Sequence, residues 1–238
     1  MKALLLAAGY GTRLKPLTDN VPKCLVPIAK KPLLEYWLEN LKVNGINKIL
    51  VNTHYKQEQV INFIRKSDYS NVVKTVYEDT LLGTAGTLFR NIDFFEDEDA
   101  ILIHADNICE ESLSGIINSF KNRPSQSLLT LLSFRTLSPE SCGIITTDKY
   151  DMITSYVEKP SRSKTNLANG AIFIISNQLL RKFRILKIKG NDFCRDVLPL
   201  MIKKMNSYET KHFFIDIGTL ENYKKANIYF ESKLKMEN

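Results

Sequence analysis

The segment Lys2-Ala3-Leu4-Leu5-Leu6-Ala7-Ala8-Gly9-Tyr10-Gly11-Thr12-Arg13 opens the chain and decides its fold. An apolar run of strand length passes directly into a glycine-containing turn that ends on a cation. This order is typical of the first strand of an α/β sheet, where ligands bind beyond the carboxyl ends of the strands. The run is far too short to cross a bilayer, so we expect neither a membrane span nor a signal peptide, and we predict a cytoplasmic protein.

Downstream of this segment, apolar runs of strand length alternate with helical periodicities, which indicates βαβ units. The strands are predicted at 2–8, 48–52, 72–77, 100–104, 127–134 and 211–215, and the helices around 33–41, 60–64, 113–120, 178–183, 193–205 and 220–234. Three short strands without helices between them are predicted at 143–147, 154–157 and 168–175. The expected fold is α/β and Rossmann-like: a mostly parallel sheet with helices on both faces and a small inserted β-rich lobe at about 142–176.

Composition narrows the class of protein. The 238 residues are 44% hydrophobic and 25% charged, which excludes disordered, collagenous and repeat proteins. Four cysteines without Cys-x-x-Cys spacing indicate neither a disulfide framework nor a zinc site. Residues 1–158 carry 17 Lys and Arg against 19 Asp and Glu, whereas residues 159–238 carry 16 against 7.

That C-terminal excess of positive charge is densest at 181–184 and at 187–189. It would attract phosphate-bearing ligands, nucleic acid or an anionic membrane, although a solvated basic surface is the more frequent explanation. A nucleic-acid-binding module ranks last among the hypotheses, because no recognisable motif accompanies the charge. We therefore predict no nucleic-acid partner.

The turn after the first strand carries the chemistry of a polyphosphate site. It is not a dinucleotide fingerprint, since Leu14 stands at the position of the third glycine, and no Walker A spacing occurs. It can still present backbone N–H groups, and the cations Arg13, Lys15 and Lys23 follow closely.

Two aspartates are candidate metal ligands. Asp106 and Asp216 each end an apolar strand, so both can project from one edge of the sheet, and Mg²⁺ prefers carboxylate and phosphate oxygens. A single aspartate after a strand is more often a turn or helix-cap residue. His104 lies on the same face as Asp106, and we assign it no role.

The stretch 6–18, continued by Pro22-Lys23 and Val26-Pro27, closely resembles the signature of the sugar-1-phosphate nucleotidyltransferases, with the mannose-1-phosphate guanylyltransferases as the most similar members. Five further segments support the resemblance in the family's order along nearly the whole chain: Leu82-Gly83-Thr84-Ala85-Gly86, Ala105-Asp106, Glu158-Lys159-Pro160, Asn169-Gly170-Ala171-Ile172-Phe173 and Ile215-Asp216-Ile217-Gly218-Thr219.

This resemblance implies a transfer of a nucleotide from a nucleoside triphosphate to a sugar-1-phosphate, with release of pyrophosphate and with Mg²⁺ as cofactor. It implies a single domain over 1–238, with about 1–135 binding the nucleotide. The implied roles are as follows: Arg13 and Lys23 are catalytic; Ala8, Gly9, Gly11, Thr12, Gly83, Thr84 and Gly86 bind the nucleotide; Glu158, Lys159, Asn169 and Gly170 bind the acceptor; Asp106 and Asp216 bind the metal.

The sequence departs from the family pattern at His104-Ala105-Asp106-Asn107, where most members have an Asn-Gly-Asp type of segment. A similar Ala-Asp-Asn occurs in related phosphocholine cytidylyltransferases, so a phosphocholine acceptor is one alternative. A metal-dependent glycosyltransferase of similar fold is another, disfavoured because Asp106-Asn107-Ile108 replaces its usual Asp-x-Asp. Gly83 to Gly86 favours GTP over CTP and UTP by resemblance. A hexose or heptose, and a monomer or homo-oligomer, stay open.

Overall fold

The computed structural model describes residues 1–185 and 190–236, which form two compact units. Among these residues, unit 1 comprises Met1–Leu4, Leu82–Ile103 and Glu111–His212. Unit 2 comprises Leu5–Leu81, His104–Glu110 and 213–236. The predicted basic segment at 187–189 lies outside the described residues.

Strands and helices alternate along most of the chain. The strands are β1 (Lys2–Leu6), β2 (Pro27–Ile28), β3 (Lys31–Pro32), β4 (Ile49–Thr53), β5 (Val73–Tyr77), β6 (Ala100–His104), β7 (Asn107–Cys109), β8 (Leu129–Arg135), β9 (Gly143–Thr147), β10 (Ile153–Glu158), β11 (Leu167–Ile175), β12 (Met205–Glu209) and β13 (Phe214–Asp216). The α-helices are α1 (Leu17–Asn20), α2 (Leu33–Val43), α3 (Gln57–Lys66), α4 (Gly83–Arg90), α5 (Ser114–Lys121), α6 (Asn177–Ile185) and α7 (Leu220–Met236).

In unit 2 the sheet runs from the end of β1 through β4 to β5, and β4 and β5 are parallel. Helix α2 forms as its sequence predicts, because apolar residues recur on one face, and the five residues of that face are buried: Leu33, Leu34, Trp37, Leu38 and Leu41. Pro32 precedes its first turn, and Gly45 follows its last turn with φ +76°. Glycine adopts this left-handed conformation without steric cost, which ends the helix.

In unit 1 the long strand β11 lies at the centre of the sheet. It is antiparallel to β6 on one side and to β8 and β9 on the other, and β10 is antiparallel to β9. Strand β12 is parallel to β8. The three strands of the predicted β-rich lobe thus belong to the same sheet as β6 and β8. The predicted α/β fold is confirmed, with parallel pairs at β4–β5 and β8–β12 and antiparallel pairs around β11.

Two sequence predictions of secondary structure are wrong. The helix expected at 193–205 is a π-helical turn, Phe193–Val197, followed by a 3₁₀ turn, Leu198–Met201, and by β12. Pro199 has no N–H and its ring clashes with a preceding carbonyl, so an α-helix cannot pass through this position unbroken. The strand expected at 211–215 is shorter and begins only at Phe214.

Among the described residues, no helix is long and apolar enough to span a membrane. The four cysteines, Cys24, Cys109, Cys142 and Cys194, are free thiols, and Cys24 and Cys109 are buried.

Candidate active site

The turn after β1 is shaped by Gly11. Its φ is +67°, and a Cβ at this position would lie 2.8 Å from Thr18 Cγ2 and 3.1 Å from Lys23 Cβ. The Thr18 hydroxyl donates a hydrogen bond to the Gly11 carbonyl at 2.8 Å. A Cβ at Gly9 would meet nothing within 4 Å. Glycine is therefore required by backbone geometry at position 11, whereas at position 9 it keeps an exposed stretch of backbone uncovered.

Lys23 and Asp106 form an ion pair within unit 2. Lys23 lies in a short 3₁₀ turn, Lys23–Leu25, and its side chain is only 10% exposed. Its ammonium Nζ donates to Asp106 Oδ2 at 2.8 Å. A buried ammonium that is paired with a carboxylate keeps its charge, so Lys23 presents a fixed positive charge beside the candidate metal ligand.

Backbone pairing brings the second aspartate to the first. Strands β7 and β13 are antiparallel with Asp216 opposite Asn107, and the N–H of Ile217 donates to the Asp106 carbonyl at 2.8 Å. Gly218 then leaves room for Arg13, whose Nη2 would lie 2.9 Å from a Cβ placed there. Unit 2 thus brings together the two cations predicted to be catalytic, Arg13 and Lys23, and the two predicted metal ligands, Asp106 and Asp216.

The two carboxylates titrate differently. Burial of the Asp106 carboxyl opposes its ionisation, but the charge and hydrogen bond of Lys23 prevail and hold its pKa below the ordinary value. Burial and then the negative charge of Asp106 raise the pKa of Asp216, against the opposing effect of Lys23 and Arg13. Two like charges that repel each other at close range are stabilised by a cation placed between them.

The donor set fits a hard divalent cation. Asp106 and Asp216 supply carboxylate oxygens, which Mg²⁺ prefers, and their mutual repulsion is the electrostatic condition that a bound cation relieves. Among the described residues there is no group of three or more His, Cys, Asp and Glu arranged to hold a metal ion. Two carboxylates alone suit Mg²⁺, because this ion keeps several waters and takes its other ligands from substrate phosphates.

Aromatic side chains flank the turn, and sequence reasoning missed them. Tyr10 Oη and His54 Nε2 are hydrogen-bonded at 2.8 Å, and His54 Nδ1 lies 2.7 Å from the Glu78 carbonyl oxygen. Because a carbonyl oxygen only accepts, His54 Nδ1 donates to it. The His54 and Tyr77 rings are stacked with their centroids 6.3 Å apart. His54 directly follows β4, and Tyr77 is the last residue of β5. The cluster therefore lies at the carboxyl ends of these strands, where ligands bind in α/β sheets.

A buried amide holds the backbone just before the turn. Asn52 Oδ1 accepts from the N–H of Ala7 at 2.7 Å, and Asn52 Nδ2 donates to Glu78 Oε1 at 3.0 Å. Asn52 and Glu78 are both nearly inaccessible to solvent. Asn52 ends the predicted strand at 48–52, and a polar residue at the carboxyl end of a strand was the available signal.

In unit 1, the segment expected as a nucleotide-binding loop begins helix α4. Gly83 has φ +76°, and a Cβ there would lie 2.9 Å from Asn191 Cβ. The N–H of Ala85 donates to the Asn191 carbonyl at 2.8 Å, and Thr84 Oγ1 accepts from the N–H of Phe193 at 2.7 Å. The segment 191–193 therefore packs directly on the residues predicted to support the nucleoside.

Unit 1 also contains the predicted acceptor residues. Glu158 ends β10, and Asn169 lies in β11, where its Oδ1 accepts from the N–H of Ala171 at 2.9 Å. Lys159 and Ala171 have φ of +47° and +54°. Left-handed conformations are costly for residues with a Cβ, and they concentrate at functional sites. Backbone strain thus lies at the candidate residue Lys159 and at Ala171, two positions after the candidate residue Asn169.

Two arginines of the basic cluster form ion pairs within unit 1. Arg181 pairs with Asp97 at 2.9 Å, and Arg184 pairs with Asp93 at 3.3 Å. These acidic partners follow α4 in the chain and balance the helix that carries the arginines. The described part of the cluster therefore forms intramolecular ion pairs, in agreement with the interpretation as a solvated surface.

Comparison with known proteins identifies a family model that matches the chain and several similar proteins. Residues 2–233 match the family model described as nucleotidyl transferase. A low-salt glycan biosynthesis nucleotidyltransferase, Agl11 of Haloferax volcanii, is 34% identical over 95% of this chain and 65% of its own. A mannose-1-phosphate guanyltransferase of Schizosaccharomyces pombe is 27% identical over 99% of this chain and 66% of its own. The structure of HddC from Yersinia pseudotuberculosis complexed with GMP-PN has a TM-score of 0.79 at 29% identity, covering 96% of this chain and 99% of HddC.

The fold and the matches define an α/β protein of the nucleotide-transferring class. The chain belongs to the nucleotidyl transferase family. The resemblance predicted from the glycine turn and its five supporting segments is confirmed at this level. The chain spans between 62% and 66% of the length of the first curated relatives that it matches.

Proposed function

We propose that the chain transfers a nucleotide from a nucleoside triphosphate, GTP in the first instance, to a hexose- or heptose-1-phosphate. A phosphate oxygen of the sugar-1-phosphate attacks the α-phosphorus; a new P–O bond forms, the bond to the β-phosphate breaks, and pyrophosphate leaves. The observation that carries this proposal is the convergence of Lys23, Asp106, Asp216 and Arg13 beside the Gly11 turn.

This reaction needs no proton-abstracting base. The second pKa of a phosphate monoester is about 6, so the nucleophile is already mostly dianionic near neutrality. The protein has to align two anionic reactants and to screen their charge. A site made of cations, carboxylates and backbone N–H groups is suited to this task.

The cations have separate roles in the proposal. The exposed Arg13 follows the turn at Ala8, Gly9, Gly11 and Thr12 and would bind the triphosphate. Lys23 is held in place by Asp106, so its charge is preorganised near the reacting phosphate. Fixed charges aimed at the position where negative charge develops stabilise the transition state more than mobile ones do.

Asp106 and Asp216 would hold Mg²⁺. When bound, this ion supplies charge neutralisation at phosphate oxygens. Their shared backbone hydrogen bonding and mutual repulsion support the assignment.

The remaining roles follow the resemblance. Gly83, Thr84 and Gly86 at the start of α4 would support the nucleoside. Lys159 would bind the phosphate of the acceptor, while Glu158, Asn169 and Gly170 contact its sugar. The strained backbone at Lys159 and next to Asn169 supports a functional use of both positions.

Relatives support GTP as the first choice of nucleotide. A mannose-1-phosphate guanyltransferase is among them, and HddC was crystallised with GMP-PN, but a glucose-1-phosphate adenylyltransferase of Mycoplasma mobile is 29% identical as well. A cytoplasmic location, where the four free thiols stay reduced, belongs to the same proposal.

A matrix of ATP, CTP, GTP and UTP against mannose-, glucose- and heptose-1-phosphate and phosphocholine, read by pyrophosphate release, tests the function. We expect turnover with a sugar-1-phosphate and GTP, its loss on addition of EDTA, and recovery with Mg²⁺. Turnover with phosphocholine and CTP alone would support the cytidylyltransferase alternative. Absence of pyrophosphate release in every combination would refute the proposal.

A further inference from the structure

Four polar side chains of unit 1 form a cluster around Tyr156. The Tyr156 hydroxyl donates to Glu158 Oε2, and Asn169 Nδ2 donates to Cys194 Sγ at 3.3 Å. Tyr156 is only 6% exposed. Its hydroxyl also interacts electrostatically with Cys194 and through a hydrogen bond with Asn169. Two of the four, Glu158 and Asn169, are predicted acceptor residues. The other two have no role in the function proposed above.

The strand geometry accounts for the Tyr156–Glu158 contact. The two residues are two positions apart in β10, so they lie on the same face of the strand. Gly143 of β9 pairs with Glu158, and a Cβ at Gly143 would lie 2.7 Å from Glu158 Oε2 and 2.8 Å from Tyr156 Cζ. The side chains of Tyr156 and Glu158 fill the space that a side chain at position 143 would occupy.

The Tyr156 phenol stays protonated and therefore remains a hydrogen-bond donor to Glu158. Burial, followed by the neighbouring Cys194 and by the hydrogen bond and charge of Glu158, raises the pKa of the Tyr156 phenol far above neutrality. The phenol therefore keeps its proton and donates it to one oxygen of the Glu158 carboxylate. A carboxylate has a second oxygen, which can accept from a sugar hydroxyl.

Asn169 is fixed at both ends of its amide. Its Oδ1 accepts from the N–H of Ala171, and its Nδ2 donates to Cys194. Cys194 lies in the π-helical turn Phe193–Val197, a rare geometry that is frequent at functional sites. The N–H of Phe193, next to it, donates to Thr84. One turn therefore contacts an acceptor residue and a nucleotide residue of the proposed site.

We propose that Tyr156 and Cys194 are positioning residues of the acceptor site: Tyr156 orients the Glu158 carboxylate and Cys194 orients the Asn169 amide toward the sugar. This inference rests on the proposed function, in which Glu158 and Asn169 contact the sugar. A preoriented pair of acceptor residues loses less side-chain freedom when the sugar binds.

The test uses the full chain with GTP and mannose-1-phosphate. Tyr156→Phe keeps the ring and removes the donor, and we expect the KM for mannose-1-phosphate to rise about tenfold, as for the loss of a hydrogen bond to a charged group. At saturating mannose-1-phosphate, kcat and the KM for GTP should stay within about twofold of the wild type. Cys194→Ala should raise the same KM, and Cys194→Ser, which retains an acceptor for Asn169, should restore it.

Tyr208→Phe is a matched control. Tyr208 also donates to a glutamate of unit 1, Glu111, beside a glycine, Gly115, whose Cβ would lie 2.7 Å from Glu111 Oε1. Neither residue belongs to the proposed site, so this variant should lose stability without a change in the KM for mannose-1-phosphate. An equal rise in both tyrosine variants, or none in Tyr156→Phe and Cys194→Ala, would overturn the positioning role. A wild-type protein without pyrophosphate release would instead refute the proposed function.

Discussion

Replacing Gly11 by alanine tests the geometry on which the phosphate turn depends. The backbone at this position has φ +67°, and the added methyl group would lie 2.8 Å from Thr18 Cγ2 and 3.1 Å from Lys23 Cβ. Thr18 is buried and bonded to the Gly11 carbonyl, and Lys23 is paired with Asp106, so neither neighbour can move without breaking a contact.

The expected cost follows from two contributions. A left-handed conformation costs an L-residue about 1–2 kcal/mol, and overpacking a filled site costs about 1–3 kcal/mol. The smaller entropy of the unfolded alanine chain offsets about 0.4–1 kcal/mol of this. These contributions sum to about 1–5 kcal/mol, and we expect Gly11→Ala to lower the free energy of unfolding by about 3 kcal/mol, the middle of that range, which for a chain of this size lowers Tm by about 6–12 °C.

Thermal unfolding followed by circular dichroism measures this change, with Gly9→Ala as the control from the same turn. Gly9 is outside the left-handed region, and its added Cβ would meet nothing within 4 Å, so its stability should change by less than about 0.5 kcal/mol. If Gly11→Ala has the same Tm as the wild type, or if Gly11→Ala and Gly9→Ala lower the free energy of unfolding equally, the reasoning from backbone geometry is refuted.

Three further changes address the charged residues. Asp106→Asn removes a charged ligand from the proposed Mg²⁺ site, and kcat for pyrophosphate release should fall by about a hundredfold or more; wild-type kcat at saturating Mg²⁺ would contradict the assignment. Lys159→Ala should weaken sugar-phosphate binding by about 10–100-fold in calorimetric titrations with GTP affinity little changed, and equal losses for both ligands would refute its role. Arg181→Ala breaks an exposed pair with Asp97 that is worth at most about 1 kcal/mol, so Tm should fall by less than about 4 °C; a fall as large as that of Gly11→Ala would show that the basic cluster is structural.

Secondary structure was predictable where one periodicity dominates. The apolar spacing of α2 and the apolar run of β6 gave elements whose bounds agree closely with the structure, because burial of one face or of a whole strand is decided by local sequence. The prediction failed at 193–205, where apolar spacing resembles a helix but Pro199 interrupts it. Helix α4, which begins at Gly83, was not among the predicted helices, and the N–H groups of Ala85 and Gly86 in its first turn bond to the Asn191 carbonyl.

The candidate site was predictable as a set of residue types, but not as a set of contacts. Asp106 and Asp216 could be expected at one sheet edge, yet the short pair β7–β13 that joins them carries too few residues to show a period of two. The hydrogen bond from the Ala7 N–H to Asn52, and the contacts of Tyr10 with His54, join residues more than 40 positions apart. Local patterns contain no information about such pairings.

The sequence by itself determined the family and the class of fold, together with the glycines and charges available for phosphate chemistry, because these reside in short contiguous motifs. Only the tertiary structure decided which of them meet. Lys23 reaches Asp106 across 83 positions, and Tyr156 and Cys194 join Glu158 and Asn169 through a strand pair and a π-helical turn. The physical reason is that the position of a side chain in a site depends on strand pairing and chain reversal, which are fixed by the packing of the whole chain.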